Sequence, residues 1–167
     1  MGIILLLTSG LLNPVLKAFP QVDPEFWNLK MTTISNDTIA MKSFLGHYLL
    51  LNFWGEWCVT CTEEISFLIK QNLKYGDGTL EMVSFLKSVD TTKAKKLTHK
   101  NAIAWAQILL SEKVENISAI KKFPPNLFIS PEGEIVMNGI HMNYQDLKKR
   151  MGDTNSIPII QKNQITK

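Results

Sequence analysis

The run Leu49-Leu50-Leu51-Asn52-Phe53-Trp54-Gly55-Glu56-Trp57-Cys58-Val59-Thr60-Cys61-Thr62-Glu63-Glu64 constrains the fold more than any other part of the chain. Its first half is apolar and rich in Leu, Phe and Trp, the pattern of a strand buried on both faces. Its second half holds the only two cysteines in the chain, Cys58 and Cys61. Gly55 permits a tight turn between strand and helix. From Thr62 onward, Glu63 and Glu64 followed by Ile65, Phe67, Leu68, Ile69 and Leu73 predict a helix with acid in its first turn and an apolar stripe behind. A sulfur at that first turn lies near backbone N–H groups with no partner inside the helix, and their partial positive charge favours thiolate over thiol. The thiolate attacks disulfides, and a second sulfur one turn away can release the mixed disulfide.

Three readings of Cys58 and Cys61 compete. Buried cysteines can act as small hydrophobes, but sole cysteines with just two residues between them argue against it. A zinc half-site needs two further ligands, and His47, His99 and His141 are scattered singly. A redox dithiol fits best, because a strand runs in and a helix runs out.

Asn52-Phe53-Trp54-Gly55-Glu56-Trp57-Cys58-Val59-Thr60-Cys61 resembles the active-site segment of the thioredoxin superfamily. Phe44 to Trp54 resembles the TlpA/ResA-like branch of extracytoplasmic thiol-disulfide oxidoreductases, and Phe123 to Val136 is similar to that branch's proline-strand-turn-strand segment. The likeness runs in order from about Phe26 to Met151. It implies an α/β thioredoxin-like fold: a central mixed sheet flanked by helices, with an N-terminal β-hairpin extension. The dithiol is then expected at the C-terminal end of a central strand, where open α/β sheets place their sites. The resemblance also implies that the proline facing the dithiol is cis. Counting back from Pro131-Glu132-Gly133 aligns Pro124 with that position, with Pro125 one residue late. Phe123 and Pro124 would form one wall of a groove for an extended partner segment, and Trp57 would shield the dithiol. Two prolines also end a preceding helix at Lys122 whatever else they do.

Two departures from thioredoxin bear on mechanism. Asn52 stands where thioredoxin has a buried aspartate that assists proton transfer, and the TlpA-like branch commonly has Asn there. The candidates for taking the Cys61 proton are then Glu56, Glu63, Glu64 or water. Glu63 and Glu64 read more simply as first-turn acids favoured by the helix dipole, so Glu56 and water stay open as the candidates for proton transfer. Between the cysteines stand Val59 and Thr60, without thioredoxin's proline. The Thr60 hydroxyl can solvate a thiolate, and stabilising the reduced form raises the reduction potential. Val59-Thr60 is also similar to the C-terminal domain of DsbD-type reductant conduits.

The remaining chain fits around this core. With 167 residues, 45% of them hydrophobic and 20% charged, there is room for one globular domain. A net charge of +3, with acids and bases intermixed, makes no case for nucleic acid. No apolar run reaches the length of a membrane span. Residues 1–24 are expected to be an extension or leader remnant with a linker, 25–152 the thioredoxin-like domain and 153–167 a tail. Ile3 to Leu12 is apolar like a signal core, yet no Lys or Arg precedes it, so a signal remnant and an added structural element both stay open. Phe26–Thr33 and Thr38–Met41 predict a hairpin, Leu80–Val89 a parallel strand, Asp90 a cap for a lysine-faced helix, and Ile103–Leu110 a strand. Val114–Lys122 predicts a short helix, Leu127–Ser130 with Glu134–Asn138 a hairpin, and Tyr144–Met151 a closing helix.

The expected activity is thiol-disulfide oxidoreduction, with Cys58 attacking and Cys61 resolving. The partners are cysteine-containing proteins and a redox partner, with no nucleic acid, and a membrane tether only through a lost leader. No metal and no cofactor beyond the Cys58–Cys61 disulfide is expected, and the location is extracytoplasmic. Two alternatives remain. One is a binding module with a static disulfide. The other is a peroxiredoxin-type peroxidase, which needs Thr and Pro where Gly55, Glu56 and Trp57 stand.

Overall fold

The computed structural model describes residues 21–55, 57–87, 90–112, 126–139 and 144–151. In chain order these form α1 (Pro24–Trp27), β1 (Lys30–Thr32), β2 (Thr38–Ala40), a 3-10 turn (Met41–Phe44), β3 (Tyr48–Gly55) and α2 (Val59–Tyr75). There follow β4 (Leu80–Lys87), α3 (Thr91–Lys100), β5 (Ala106–Leu109), β6 (Asn126–Ile129), β7 (Ile135–Gly139) and a closing helix, α4 (Tyr144–Met151).

The five-stranded sheet has the order β5-β4-β3-β6-β7. β3 pairs parallel with β4 and antiparallel with β6, so the sheet is mixed, as expected. The apolar run read from sequence is its central strand, and every residue from Leu49 to Gly55 is buried. Alternation divides β3 between two cores. Leu49, Leu51 and Phe53 join Val83, Phe85, Ile108, Leu127 and Ile129 on one face. Leu50 and Trp54 face the other way, into clusters with Leu68 and Ile65 of α2, Ala94 of α3 and Leu147 of α4.

The segment before β3 serves as a strap. Gln21 bridges to Glu134 beside β7, Phe26 is fully buried on the first face, and Thr33 bridges to Ile108 of β5 at the opposite edge. The Ile34 N–H donates to the Gln107 carbonyl at 2.8 Å. The strap thus lies against both edges and blunts a template for unwanted pairing.

Sequence and structure differ at three places here. Phe26 and Trp27 are helical, because Asp23 caps a short turn by accepting the Glu25 N–H at 2.9 Å and Pro24 suits the first helical position. Leu73 is 82% exposed, and Tyr75 takes its place on the buried stripe of α2. Gly55 serves by its size, since its backbone is not left-handed. A Cβ there would stand 2.8 Å from the Trp57 ring and 3.0 Å from the Lys87 carbonyl oxygen. The expected helix Val114–Lys122 and the segments 1–20 and 152–167 lie outside the described residues.

Candidate active site

β3 delivers the chain at its C-terminal end, and the Cys58 N–H closes the turn on the Gly55 carbonyl at 3.0 Å. Cys58 then adopts an extended backbone as the N-cap of α2, and its sulfur accepts the Cys61 N–H at 3.3 Å. A cap position normally taken by an oxygen is here filled by sulfur. The same N–H would serve a thiolate better than a thiol, because hydrogen bonds to charged acceptors are the stronger ones. The Thr60 hydroxyl lies 3.5 Å from the Cys58 sulfur. Cys58 and Cys61 are joined by a disulfide, with Cα atoms 5.3 Å apart.

The two sulfurs have unlike surroundings. Cys58 is flanked by Trp57 and Val59, which are 57% and 74% exposed. Cys61 is partly buried and packs against the cluster of Trp54, Ile65, Leu86 and Ala94. Both cysteines are partly buried, but Cys58 stands between exposed apolar side chains and Cys61 contacts the core.

Beneath α2 a row of polar side chains crosses the sheet. Asn52 is in register with Ser84 on β4 and with Asn126 on β6. The Trp105 indole N–H donates to Ser84 Oγ at 2.8 Å, and Ser84 donates to Asn52 Oδ1 at 3.2 Å. Asn52 Nδ2 donates to Asn126 Oδ1 at 2.9 Å, and Asn126 Nδ2 donates to Glu64 Oε1 at 2.6 Å. Glu64 is only 4% exposed and follows Cys61 by three residues on α2, so the two are neighbours along one helix face.

Glu64 is therefore not an ordinary first-turn acid. The helix begins at Val59, which moves Glu64 to the second turn and turns its carboxylate inward, whereas Glu63 is exposed. The sequence held a signal for this: Asn52 and Ser84 interrupt otherwise apolar strands, and a buried polar row needs partners. Glu56, Phe123 and Pro124, with the alternative Pro125, lie outside the described residues. His47 Nδ1 lies 2.9 Å from the Gly78 carbonyl, and no group of metal-binding residues is found among the described residues. A groove of about 350 Å³ between β1 and β5, lined by Leu29, Met31, Ile108 and Leu109 among others, is remote in sequence from the dithiol and holds no sulfur nucleophile.

Fold and site together define a thioredoxin-like oxidoreductase with its disulfide at a helix N-terminus. Residues 22–136 match the AhpC/TSA family, and the chain belongs to it, within its ResA-like thiol-disulfide oxidoreductases. The thiol-disulfide oxidoreductase ResA of Bacillus thuringiensis (strain Al Hakam) is 24% identical over 142 residues, 80% of this chain and 82% of that one. The thioredoxin-like protein YneN of Bacillus subtilis (strain 168) is 27% identical over 137 residues, covering 77% of this chain and 74% of its own. Among solved structures, the thioredoxin domain of a thiol-disulfide oxidoreductase from Bacteroides vulgatus superposes with a TM-score of 0.69 at 23% identity. That match covers 81% of this chain and 99% of the other. A secreted Mycobacterium tuberculosis disulfide oxidoreductase, homologous to DsbE of E. coli, gives 0.63 at 19% identity, with coverage of 77% and 98%.

Proposed function

We propose that this protein exchanges a disulfide with cysteine-containing partner proteins outside the cytoplasm, with Cys58 as the attacking sulfur and Cys61 as the resolving one. The observation that carries this is the asymmetry of the pair. Cys58 caps α2, accepts the Cys61 N–H and borders exposed apolar side chains, while Cys61 packs inward.

Starting from the reduced protein, the Cys58 thiolate attacks one sulfur of a partner disulfide. A mixed disulfide forms and the partner's other sulfur leaves as thiolate. Cys61 then loses its proton, attacks Cys58 and forms the intramolecular disulfide, and the partner's second sulfur leaves and is protonated. Two electrons pass to the partner, and the reverse sequence returns them. The couple carries both electrons, so no separate cofactor is needed. Glu64, rather than the Glu56 left open from sequence, is the carboxylate supported as acceptor for the Cys61 proton. It is buried, one helical turn away, and held by Asn126. Trp57 and Val59 offer the apolar surface for the partner segment, and Phe123 and Pro124 are proposed as its opposite wall. An extracytoplasmic location is supported by the secreted M. tuberculosis relative and by the apolar stretch Ile3 to Leu12. No helix among the described residues is long and apolar enough to cross a membrane.

The test is a trap. Cys61→Ser is expected to accumulate a mixed disulfide through Cys58 with a peptide disulfide, and Cys58→Ser to accumulate none. A folded Cys61→Ser protein that captures nothing would refute these roles.

A further inference from the structure

Trp105 and Ser84 stand apart from the dithiol in sequence, yet they belong to the chain of hydrogen bonds that ends beneath it. We infer that they are positioning residues: they fix the sense of the buried row so that the amide of Asn126 is always presented to the Glu64 carboxylate. The inference rests on the proposed role of Glu64.

The chemistry of the two ends leaves one arrangement. An indole N–H only donates, so Ser84 Oγ must accept from Trp105 and has its own proton free for Asn52. Asn52 therefore turns its oxygen to Ser84, which aims its NH2 group at Asn126 Oδ1. Asn126 in turn aims its NH2 group at Glu64. At that end the Glu64 Oε1 accepts from Asn126, and the Gly139 carbonyl, 3.4 Å from the same nitrogen, can only accept. Each amide would otherwise have two orientations, and here neither is free to turn. All four donations run one way, from Trp105 to Glu64, so each bond polarises the next.

Burial makes the arrangement consequential. Ser84 and Asn126 are fully buried, Asn52 is 1% exposed and Trp105 9%. Water cannot substitute for a lost partner at such depth, so an error at one end is passed along. A row needed only for packing would be served as well by apolar side chains of similar size. This row instead ends on the one buried carboxylate among the described residues, on the helix that carries both sulfurs.

Trp105→Phe removes the terminal donor and keeps an aromatic ring, at the cost of some core volume, and Ser84→Ala breaks the next link with little change of volume. Ile108→Val, on the opposite face of the sheet, controls for lost stability. The reduced protein is mixed with an aromatic disulfide whose thiol is coloured. The first equivalent released reports capture by Cys58 and the second reports resolution by Cys61. Both row variants are expected to capture within twofold of the parent rate and to resolve at least threefold more slowly. The Asn52 and Asn126 side-chain amide NMR signals should shift or double, while the control changes neither. Resolution and amide signals unchanged in both row variants, or slowed equally in Ile108→Val, would overturn the inference. Glu64→Gln separates the two claims. If it slows resolution while the row variants do not, only the positioning inference fails. If it resolves at the parent rate, the proton role of Glu64 fails, and with it the function assigned to the row.

Discussion

Replacing Thr60 by valine asks whether the residue between the sulfurs sets the redox poise. Valine keeps the β-branched shape and loses the hydroxyl that lies 3.5 Å from the Cys58 sulfur. In the oxidised protein that sulfur is a poor acceptor. After reduction it is charged, and the hydroxyl stabilises it more, so the bond favours the reduced form. Hydrogen bonds to charged groups contribute about 1.5–3 kcal/mol when shielded from water. Thr60 is exposed and the separation is at the outer limit, so about 0.5–1 kcal/mol is the reasonable share here. For a two-electron couple about 30 mV corresponds to about 1.4 kcal/mol, so Thr60→Val should lower the reduction potential by about 10–20 mV. Equilibration in dithiothreitol redox buffers, quenching with an alkylating agent and weighing the two forms by mass spectrometry resolves such a shift. A potential that rises, or stays fixed while the fold is intact, would refute the reasoning.

Further outcomes follow from other sites. Ala102 adopts φ +52° at the end of α3, where its N–H donates to His99 and that of Ile103 to Thr98, so Ala102→Gly should stabilise the fold by about 1 kcal/mol in a denaturant titration. Asp90 Oδ1 accepts the Thr92 and Lys93 N–H groups at 3.0 and 3.1 Å, so Asp90→Ala should cost about 1 kcal/mol in the same titration. Tyr48 stacks on Phe128, and burial, followed by the nearby Glu132 charge, raises its phenol above the ordinary value of 10.0. The folded state therefore holds that proton longer. Its stability contribution should be complete below pH about 10 and lost as pH rises further, with Glu132→Gln lowering the phenolate midpoint seen by absorbance. With Gly55 and Trp57 ahead of Cys58 in place of Thr and Pro, peroxide consumption should not exceed that of a free thiol.

What the sequence disclosed, and what it hid, follows the range of the forces involved. The strand Tyr48–Gly55, the Asp90 cap and the closing helix Tyr144–Met151 are written in local periodicity and turn chemistry. The dithiol is equally local, because strand, glycine and helix are contiguous. Glu64 was misread because its burial depends on Asn126, which is 62 residues away and arrives only when β6 pairs with β3. Trp105 and Ser84 were read as strand residues for the same reason: their partners are defined by the sheet's register. Phe26 and Trp27 were read as strand from their β preference, which the side-chain cap of Asp23 outweighs over so short a span.

Alkylation of the reduced protein tests the central claim most directly, since it reads thiolate character at each sulfur separately. A limiting amount of iodoacetamide at neutral pH, followed by peptide mapping, should label Cys58 well ahead of Cys61 and at least several-fold faster than a cysteine in an unstructured peptide. Cys58 reacting no faster than that peptide, or Cys61 labelled first, would contradict the account.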